Sequence, residues 1–364
     1  MTPTTAVSEV LDRAREVTQP LLRHAVARMA PSIGHVVSYH LGWANADGTA
    51  ASLPAGKGIR PALALLSAEA AWAGAEVGAP GGVAVELVHN FSLVHDDLMD
   101  GDRERHHRPT VWVLWGPGMA VLVGDALANL ANDVLLRSGN PAAAAAVAAL
   151  GAATAEMIAG QADDLAFEKR RTVSVEECMA MSTAKTGALL GCAASIGAIL
   201  AGAPQATVTA LRDFGRHLGI AFQAVDDLLG IWGDPSVTGK PAGNDIRQRK
   251  KSMPIVAALA AGDEEAKELE RVLYGPADDA EALAEPEGGP AQPGLRSAAL
   301  PELGPEATDR ATWLVEACGG REWTAARAKA HLDSALASLE RGRLSAVPRR
   351  ALADLAVYVV ERDS

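Results

Sequence analysis

Aromatic side chains are scarce, 4% of 364 residues as four Phe, three Tyr and seven Trp. Val and Ile are not gathered into short alternating runs, which argues against a β-sandwich or barrel. Cysteine is limited to Cys178, Cys192 and Cys318. These are too scattered for a disulfide framework or a zinc knuckle, and they fit a reducing cytosol. Basic residues are outnumbered, 33 Lys and Arg against 45 Asp and Glu, for a net charge of −12. That balance argues against nonspecific duplex binding, so no nucleic-acid partner is expected. The first residues lack a basic patch followed by an apolar core; Glu9, Asp12 and Glu16 come early. No export leader is expected, and a cytoplasmic location follows. Residues 187–204 run uncharged but are rich in Gly and Ala. Their apolar drive is weak for their length, so a buried core helix is expected and no integral membrane association.

What is abundant is helix-forming sequence. Hydrophobic residues make up 49% of the chain, enough to bury a sizeable core. Across residues 7–273 apolar positions recur at three- and four-residue spacing, as in Leu11, Ala14, Leu21, Leu22 and Val26. Pro61, Pro109, Pro117, Pro141, Pro204 and Pro254 punctuate these runs. The reading is an all-α chain of roughly ten helices over this region, with no convincing strand pair. Residues 275–308 hold six Pro, seven acidic residues and one Arg, and read as a solvated insertion. Helical spacing returns at Trp313. Leu332, Leu336 and Leu339, then Leu352, Leu355 and Val359, mark two closing helices. We read residues 1–364 as a single domain with this insertion at about 275–308.

Chemistry concentrates in two acidic motifs. In HDDLMDGD, residues 95–102, Asp96 and Asp100 lie four apart and share a helix face, with Asp97 beside them. A fold keeps such a cluster in apolar surroundings when a divalent cation neutralises it, and all-oxygen donors suit Mg²⁺. A solvated acidic face is the alternative for one such motif alone. The second motif shifts the balance: Asp226 and Asp227 lie among Phe222, Val225, Leu228, Leu229 and Ile231. Basic residues complete the set. Lys57 and Arg60 in GKGIRP are three apart, as on one helical face. Arg105 and Arg108 follow the first motif around His106 and His107. Lys185-Thr186, Lys240, Arg247, Arg249, Lys250 and Lys251 come later. Together they suit a diphosphate, with Mg²⁺ on some oxygens and Arg or Lys on the others. Apolar helices beside such a site suit a hydrocarbon ester. An allylic one would ionise to a stabilised cation that a dry pocket protects.

GKGIRP, ELVHNFSLVHDDLMDGD, GDAL, GQADD, KT, FQAVDD, GKP and RKKSMP occur in this order over residues 56–254. By these motifs the chain resembles the trans-polyprenyl diphosphate synthases, which extend isoprenoid chains head to tail. The resemblance implies the isoprenoid synthase fold, helices around a central active-site cavity, and a homodimer. It implies that Asp96 and Asp100 bind Mg²⁺ from one side and Asp226 from the other, supported by Asp97 and Asp227. Lys57, Arg60 and His89 would hold isopentenyl diphosphate. Arg105, Lys185, Lys240 and Lys250 would hold the allylic diphosphate, and Thr186 and Gln223 would steady the allylic cation. Two departures stand out. His106 replaces a second Arg that contacts isopentenyl diphosphate, and Gly230 stands where an Asp is common, with Asp234 further on. Phe91 and Ser92, five and four positions before Asp96, sit where chain length is set. A bulky floor beside a small residue implies a C20 product, geranylgeranyl diphosphate, with C15 farnesyl diphosphate close behind. Two other readings share the scaffold: a terpene cyclase, favoured by His106 alone, and an inactive regulatory subunit, opposed by the complete acidic motifs.

Overall fold

The computed structural model describes residues 3–53, 56–234, 242–275 and 302–361. Its helices are α1 (Pro3–Val26), α2 (Pro31–His40), α3 (Ile59–Ala70), α4 (Ala75–Met99), α5 (Val111–Trp115), α6 (Pro117–Arg137), α7 (Ala143–Glu168) and α8 (Val175–Ser182). A π-helical turn, Thr183–Gly187, joins α8 to α9 (Ala188–Leu200). There follow α10 (Gln205–Trp232), α11 (Asn244–Arg247), α12 (Met253–Ala260), α13 (Glu264–Tyr274), α14 (Pro305–Ala317), α15 (Gly320–Arg341) and α16 (Ala346–Glu361). The expected core helix at 187–204 is borne out: nearly all of α9 is buried, packed against α3, α4, α7 and α10.

Local chemistry sets several boundaries. Ser174 opens α8 with a capping box: its hydroxyl accepts from the Glu177 N–H, and the Glu177 carboxylate accepts from the Ser174 N–H. Asp263 caps α13 by accepting from the Ala266 N–H. The main core fills the space among α1, α3, α4, α6, α9 and α10 with Leu63, Leu65, Leu87, Leu127, Ile196, Leu211, Phe214 and Leu218. A smaller cluster of Ile231, Ile246, Ile255, Leu269, Leu273, Leu314 and Val315 ties the end of α10 to α11–α14.

Three expectations need correction. A short hairpin is present, β1 (Glu104–Arg105) paired antiparallel with β2 (Arg108–Pro109). Its connection places His106 and His107 at φ 51° and 59°, the left-handed pair that a tight two-residue hairpin turn requires. Lys57 and Arg60 do not share a helical face: Gly58, at φ 72°, precedes α3, and Lys57 lies in the loop before it. The Pro- and acid-rich stretch ends earlier than composition suggested. Leu303 and Thr308 are buried, and α14 begins at Pro305.

Candidate active site

The two Asp of each pair point in different directions. Asp96 lies on the last turn of α4. Asp100 caps that helix, and its N–H donates to Asp96 O at 2.8 Å. Asp97, 3% exposed, turns inward, and its Oδ1 accepts from Arg105 Nε at 2.9 Å and pairs with Nη2 at 2.7 Å. On α10 the pattern repeats. Asp226 is exposed. Asp227 is buried, accepting from Gln223 Nε2 and from the Met253 N–H, both at 2.8 Å. The second Asp of each pair is thus a fastener, one for Arg105 and one for the start of α12.

Cations bring the two banks into one electrostatic field. Lys185 Nζ lies 2.6 Å from Asp164 Oδ2. Burial alone would lower the Lys185 ammonium, but Asp164, Asp96 and Asp100 hold it above its ordinary value. Burial likewise opposes the Lys250 ammonium, and Asp245, Asp100, Asp164 and Asp102 outweigh it. Lys250 therefore feels Asp100 and Asp102 from the first motif and Asp245 from the element following the second. Burial pushes the Asp96 carboxyl up to about 6, with Asp100 and Asp164 adding to it. Burial and Asp245 push Asp227 up to about 7.

Burial outweighs Lys185 and Arg105 at Asp96, a state that an added cation relieves. Among the described residues no three His, Cys, Asp or Glu side chains converge on one point. The donor set fits Mg²⁺, which takes one or two carboxylates and fills its shell with water and phosphate oxygens. Asp96, Asp100 and Asp226 could hold it.

Thr183–Gly187 presents the next group. Gly160 on α7 lets that helix approach closely: a Cβ there would lie 2.4 Å from the Lys185 main-chain N. Thr186 Oγ1 donates to Gln223 Oε1 at 2.7 Å, and Gln223 Nε2 donates on to Asp227. The Thr186 proton is therefore committed away from the cavity, leaving its oxygen lone pairs to face positive charge.

A second anion-binding region adjoins Arg105. Arg60 Nε is buried without a hydrogen-bond partner, and Glu86 is the carboxylate that supports its charge. Burial, then Arg60, Arg105 and His40, hold the His89 imidazole well below its ordinary value. His40 Nε2 lies 3.1 Å from Asn90 Oδ1, and burial and Arg105 bring that imidazole down to about 4. His106 is lowered too, by burial, Arg105 and His107. Arg60 near Glu86, Arg105 paired with the buried Asp97, and three imidazoles held below their ordinary value make a cluster suited to an anion.

Other assignments divide. Arg108 serves the fold: it stacks 3.9 Å from the Tyr39 ring centroid and donates to Tyr39 O and Ala44 O. His95 faces α6, with Nε2 3.2 Å from Val121 O. Phe91, 8% exposed, meets the His95 ring edge-on at 4.9 Å. By helical phase Ser92 lies beneath Asp96, and Phe91 about a quarter turn round toward α6. Lys240 lies outside the described residues. Sequence reasoning missed His40, Glu86, Asn90 and Asp245, and gave Asp164 no role.

An all-α chain in which two acidic motifs and the cations Arg105, Lys185 and Lys250 share one electrostatic field has the makings of diphosphate-ester chemistry. The chain belongs to the polyprenyl synthetase family, whose pattern matches residues 46–285. A (2E,6E)-farnesyl diphosphate synthase of Mycobacterium tuberculosis H37Rv is 45% identical over 98% of this chain and 93% of its own. A geranylgeranyl diphosphate synthase of the same organism is 46% identical over 74% and 77%. The crystal structure of a polyprenyl synthetase from Streptomyces coelicolor A3(2) superposes with TM-score 0.87 at 48% identity, covering 97% of this chain and 99% of that one. A Corynebacterium glutamicum geranylgeranyl pyrophosphate synthase, complexed with isoprenyl diphosphate and magnesium, superposes with TM-score 0.77 at 26% identity and covers both chains fully.

Proposed function

We propose that the protein is a Mg²⁺-dependent prenyltransferase that condenses isopentenyl diphosphate with an allylic diphosphate, ending at C20 geranylgeranyl diphosphate. The observation that carries this reading is Arg105, paired with Asp97 and standing between Asp96 of the acidic motif and the Arg60–His89 group. A synthase needs two diphosphates side by side, whereas a cyclase needs one. Arg105, Lys185 and Lys250, with Lys240, hold the allylic diphosphate. Arg60 and His89, with Lys57, hold that of isopentenyl diphosphate. Asp96, Asp100 and Asp226 would hold Mg²⁺, which when bound would supply positive charge that stabilises the leaving diphosphate. Thr186 Oγ1 and the Gln223 amide steady the allylic cation while the apolar walls exclude water. The isopentenyl double bond attacks that cation, and the released diphosphate accepts the proton. The magnesium-bearing Corynebacterium neighbour supports the metal reading. The farnesyl synthase relative supports C15 as the second product reading.

Incubating the protein with Mg²⁺, isopentenyl diphosphate and each of the C5, C10 and C15 primers tests this. Dephosphorylated C20 alcohol is expected on chromatography. A hydrocarbon in its place would make the protein a cyclase, and no product an inert subunit.

The reading includes a cytoplasmic homodimer without an integral membrane segment. Among the described residues three helical stretches are long and apolar enough to cross a membrane, Pro117–Arg137, Ala143–Glu168 and Val175–Leu200, with 39%, 33% and 72% of their windows buried inside the structure. Val121, Leu122, Leu136 and Ile158 on the first two are exposed. A second copy covering this face accounts for them. Light scattering should give twice the chain mass without detergent; a monomer, or a need for detergent, would refute it.

A further inference from the structure

The proposed chemistry gives no role to His95 or to Gly124, the Gly of the GDAL motif, and the structure brings the two together. On α4, Phe91 and His95 are four residues apart, the spacing that puts two side chains on one helix face. Their rings meet edge-on, centroids 4.9 Å apart and planes at 79°. Helix α6 holds the imidazole from its other side. His95 Nε2 lies 3.2 Å from Val121 O; a carbonyl only accepts, so Nε2 carries the proton and donates. One turn on, a Cβ built on Gly124 would lie 2.0 Å from the same Nε2 and 2.3 Å from Cδ2. Gly124 is buried within α6, where glycine weakens a helix relative to alanine. The side chain it lacks is the room that the imidazole takes. By helical phase His95 is turned about 100° from Asp96, so the ring and the Asp96 carboxylate leave α4 in different directions.

We infer that His95 is a positioning residue for product length: seated in the slot at Gly124, its ring keeps Phe91 standing as the floor beneath the growing chain. The inference rests on the proposed function and deepens it. A lengthening apolar tail presses on Phe91, and in a close-packed interior that ring yields only by turning into free volume. On the α6 side the imidazole fills that volume, tied to Val121 O and seated over Gly124. Without the imidazole, Phe91 turns toward α6 and the tunnel deepens. An edge-to-face aromatic pair shifts such an equilibrium by about 2- to 10-fold.

The test reads product length and primer binding separately. The full chain is given Mg²⁺, geranyl diphosphate and excess isopentenyl diphosphate, and the dephosphorylated alcohols are separated by chromatography. The KM for the C5 primer is measured alongside. His95→Gln keeps a donor for Val121 O and removes the ring. Gly124→Ala leaves α4 unaltered and evicts the ring from the other helix. Both should raise the ratio of the alcohol one C5 unit beyond the normal product to the normal product by about 2- to 10-fold, with the KM for the C5 primer little changed. His95→Phe keeps a ring against Phe91 and should hold the original ratio. An unchanged or shorter product from either His95→Gln or Gly124→Ala overturns the inference. So does a His95→Phe protein whose product lengthens as far as that of His95→Gln. A raised KM for the C5 primer with an unchanged ratio also overturns it, and would make His95 only a support for Asp96. Should one of the two ring-removing variants fail to fold by circular dichroism, the other decides. If the unmodified protein makes no alcohol longer than its primer, the proposed function itself falls.

Discussion

Phe91→Ala tests how α4 measures its product. Phe91 is 8% exposed and packs edge-on against His95. Removing a core Phe costs about 3–5 kcal/mol, and losing an aromatic pair about 0.5–1.5 kcal/mol of that order. Phe91 belongs to the main core, so a loss in that range is expected, with His95 still held by Val121 O at 3.2 Å. The next turn down α4 carries Leu87 and Val88, both buried. They become the new floor about 5.4 Å lower, one helical turn. An isoprene unit adds four chain carbons, a comparable length. The variant should therefore add one C5 unit to its longest product.

The assay uses a C15 primer with excess isopentenyl diphosphate, chromatography of the dephosphorylated chains, and thermal unfolding of the same preparations. Turnover of the C5 primer should change little, because Asp96 and its neighbours lie above the cut. Ser92→Phe is the complementary change. Ser92 lies beneath Asp96, and its hydroxyl donates to His89 O at 2.8 Å. A ring there should stop growth at C15 or earlier. A folded Phe91→Ala protein with unchanged products, together with a Ser92→Phe protein still making the same length, would refute the placement of the tunnel along this face.

Three further outcomes follow from the site and its surroundings. Asp97→Asn removes the carboxylate that fixes Arg105; a bond to a charged group contributes about 1.5–3 kcal/mol. The KM for geranyl diphosphate should rise about tenfold or more in steady-state kinetics, and an unchanged KM would show Arg105 needs no anchor. His106→Arg should lower the KM for isopentenyl diphosphate, since the present imidazole is held neutral by burial and Arg105; no change would show that Arg60, His89 and His40 suffice. Lys251, only 6% exposed, donates to the Tyr274 hydroxyl and lies 3.8 Å from its ring centroid. Burial, with Arg171, Arg170 and Arg249, lowers its ammonium from 10.5 to about 7. Between those values the unfolded chain binds the extra proton, so Lys251's cost is full below about 7 and fades toward 10.5. Stability should rise with pH across this window by at most about 1.4 kcal/mol per unit, and urea melts of Lys251→Met should lack that contribution; identical pH slopes would refute it.

The sequence made the helices and the ordered motifs legible because both are local. The burial of α9 followed from small residues alone, and the acidic pairs announced themselves among apolar neighbours. That Asp97 and Asp227 play the supporting part came only from the resemblance, and what they would be fastened to was not legible. Asp97 and Asp227 are taken up by Arg105, eight residues on, and by the Met253 N–H, 26 residues on. Both bonds depend on how a hairpin and a helix start return to the site. The same limit explains Arg108, which looked like a diphosphate cation but whose guanidinium is committed to Tyr39 and Ala44. It also explains the Lys57–Arg60 spacing, which a left-handed Gly58 removes from a common helix.

His40 and Asp245 carried no motif at all, since each is a single polar residue whose meaning comes from what the fold places opposite it. His40 meets Asn90 across 50 residues. Asp245 fills space that Gly230 leaves open. A missing motif residue is therefore a statement about volume as well as about charge. The gap at Gly230 reads as a defect while only the motif is in view, and as an accommodation once the side chain that enters it is known. The same reasoning applies at His106. A neutral imidazole there lessens the positive charge of a group that already holds Arg60 near Glu86 and Arg105 paired with Asp97. Two like charges close together in such surroundings disfavour each other. A third guanidinium would have to be sustained by the incoming diphosphate, so the benefit of restoring Arg should show in the substrate complex and its cost in the empty protein. His106→Arg is accordingly expected to lower the thermal midpoint of the free enzyme while raising the shift produced by isopentenyl diphosphate. A variant that gains stability in both states would show that the site has room for more positive charge than Glu86 and Asp97 imply.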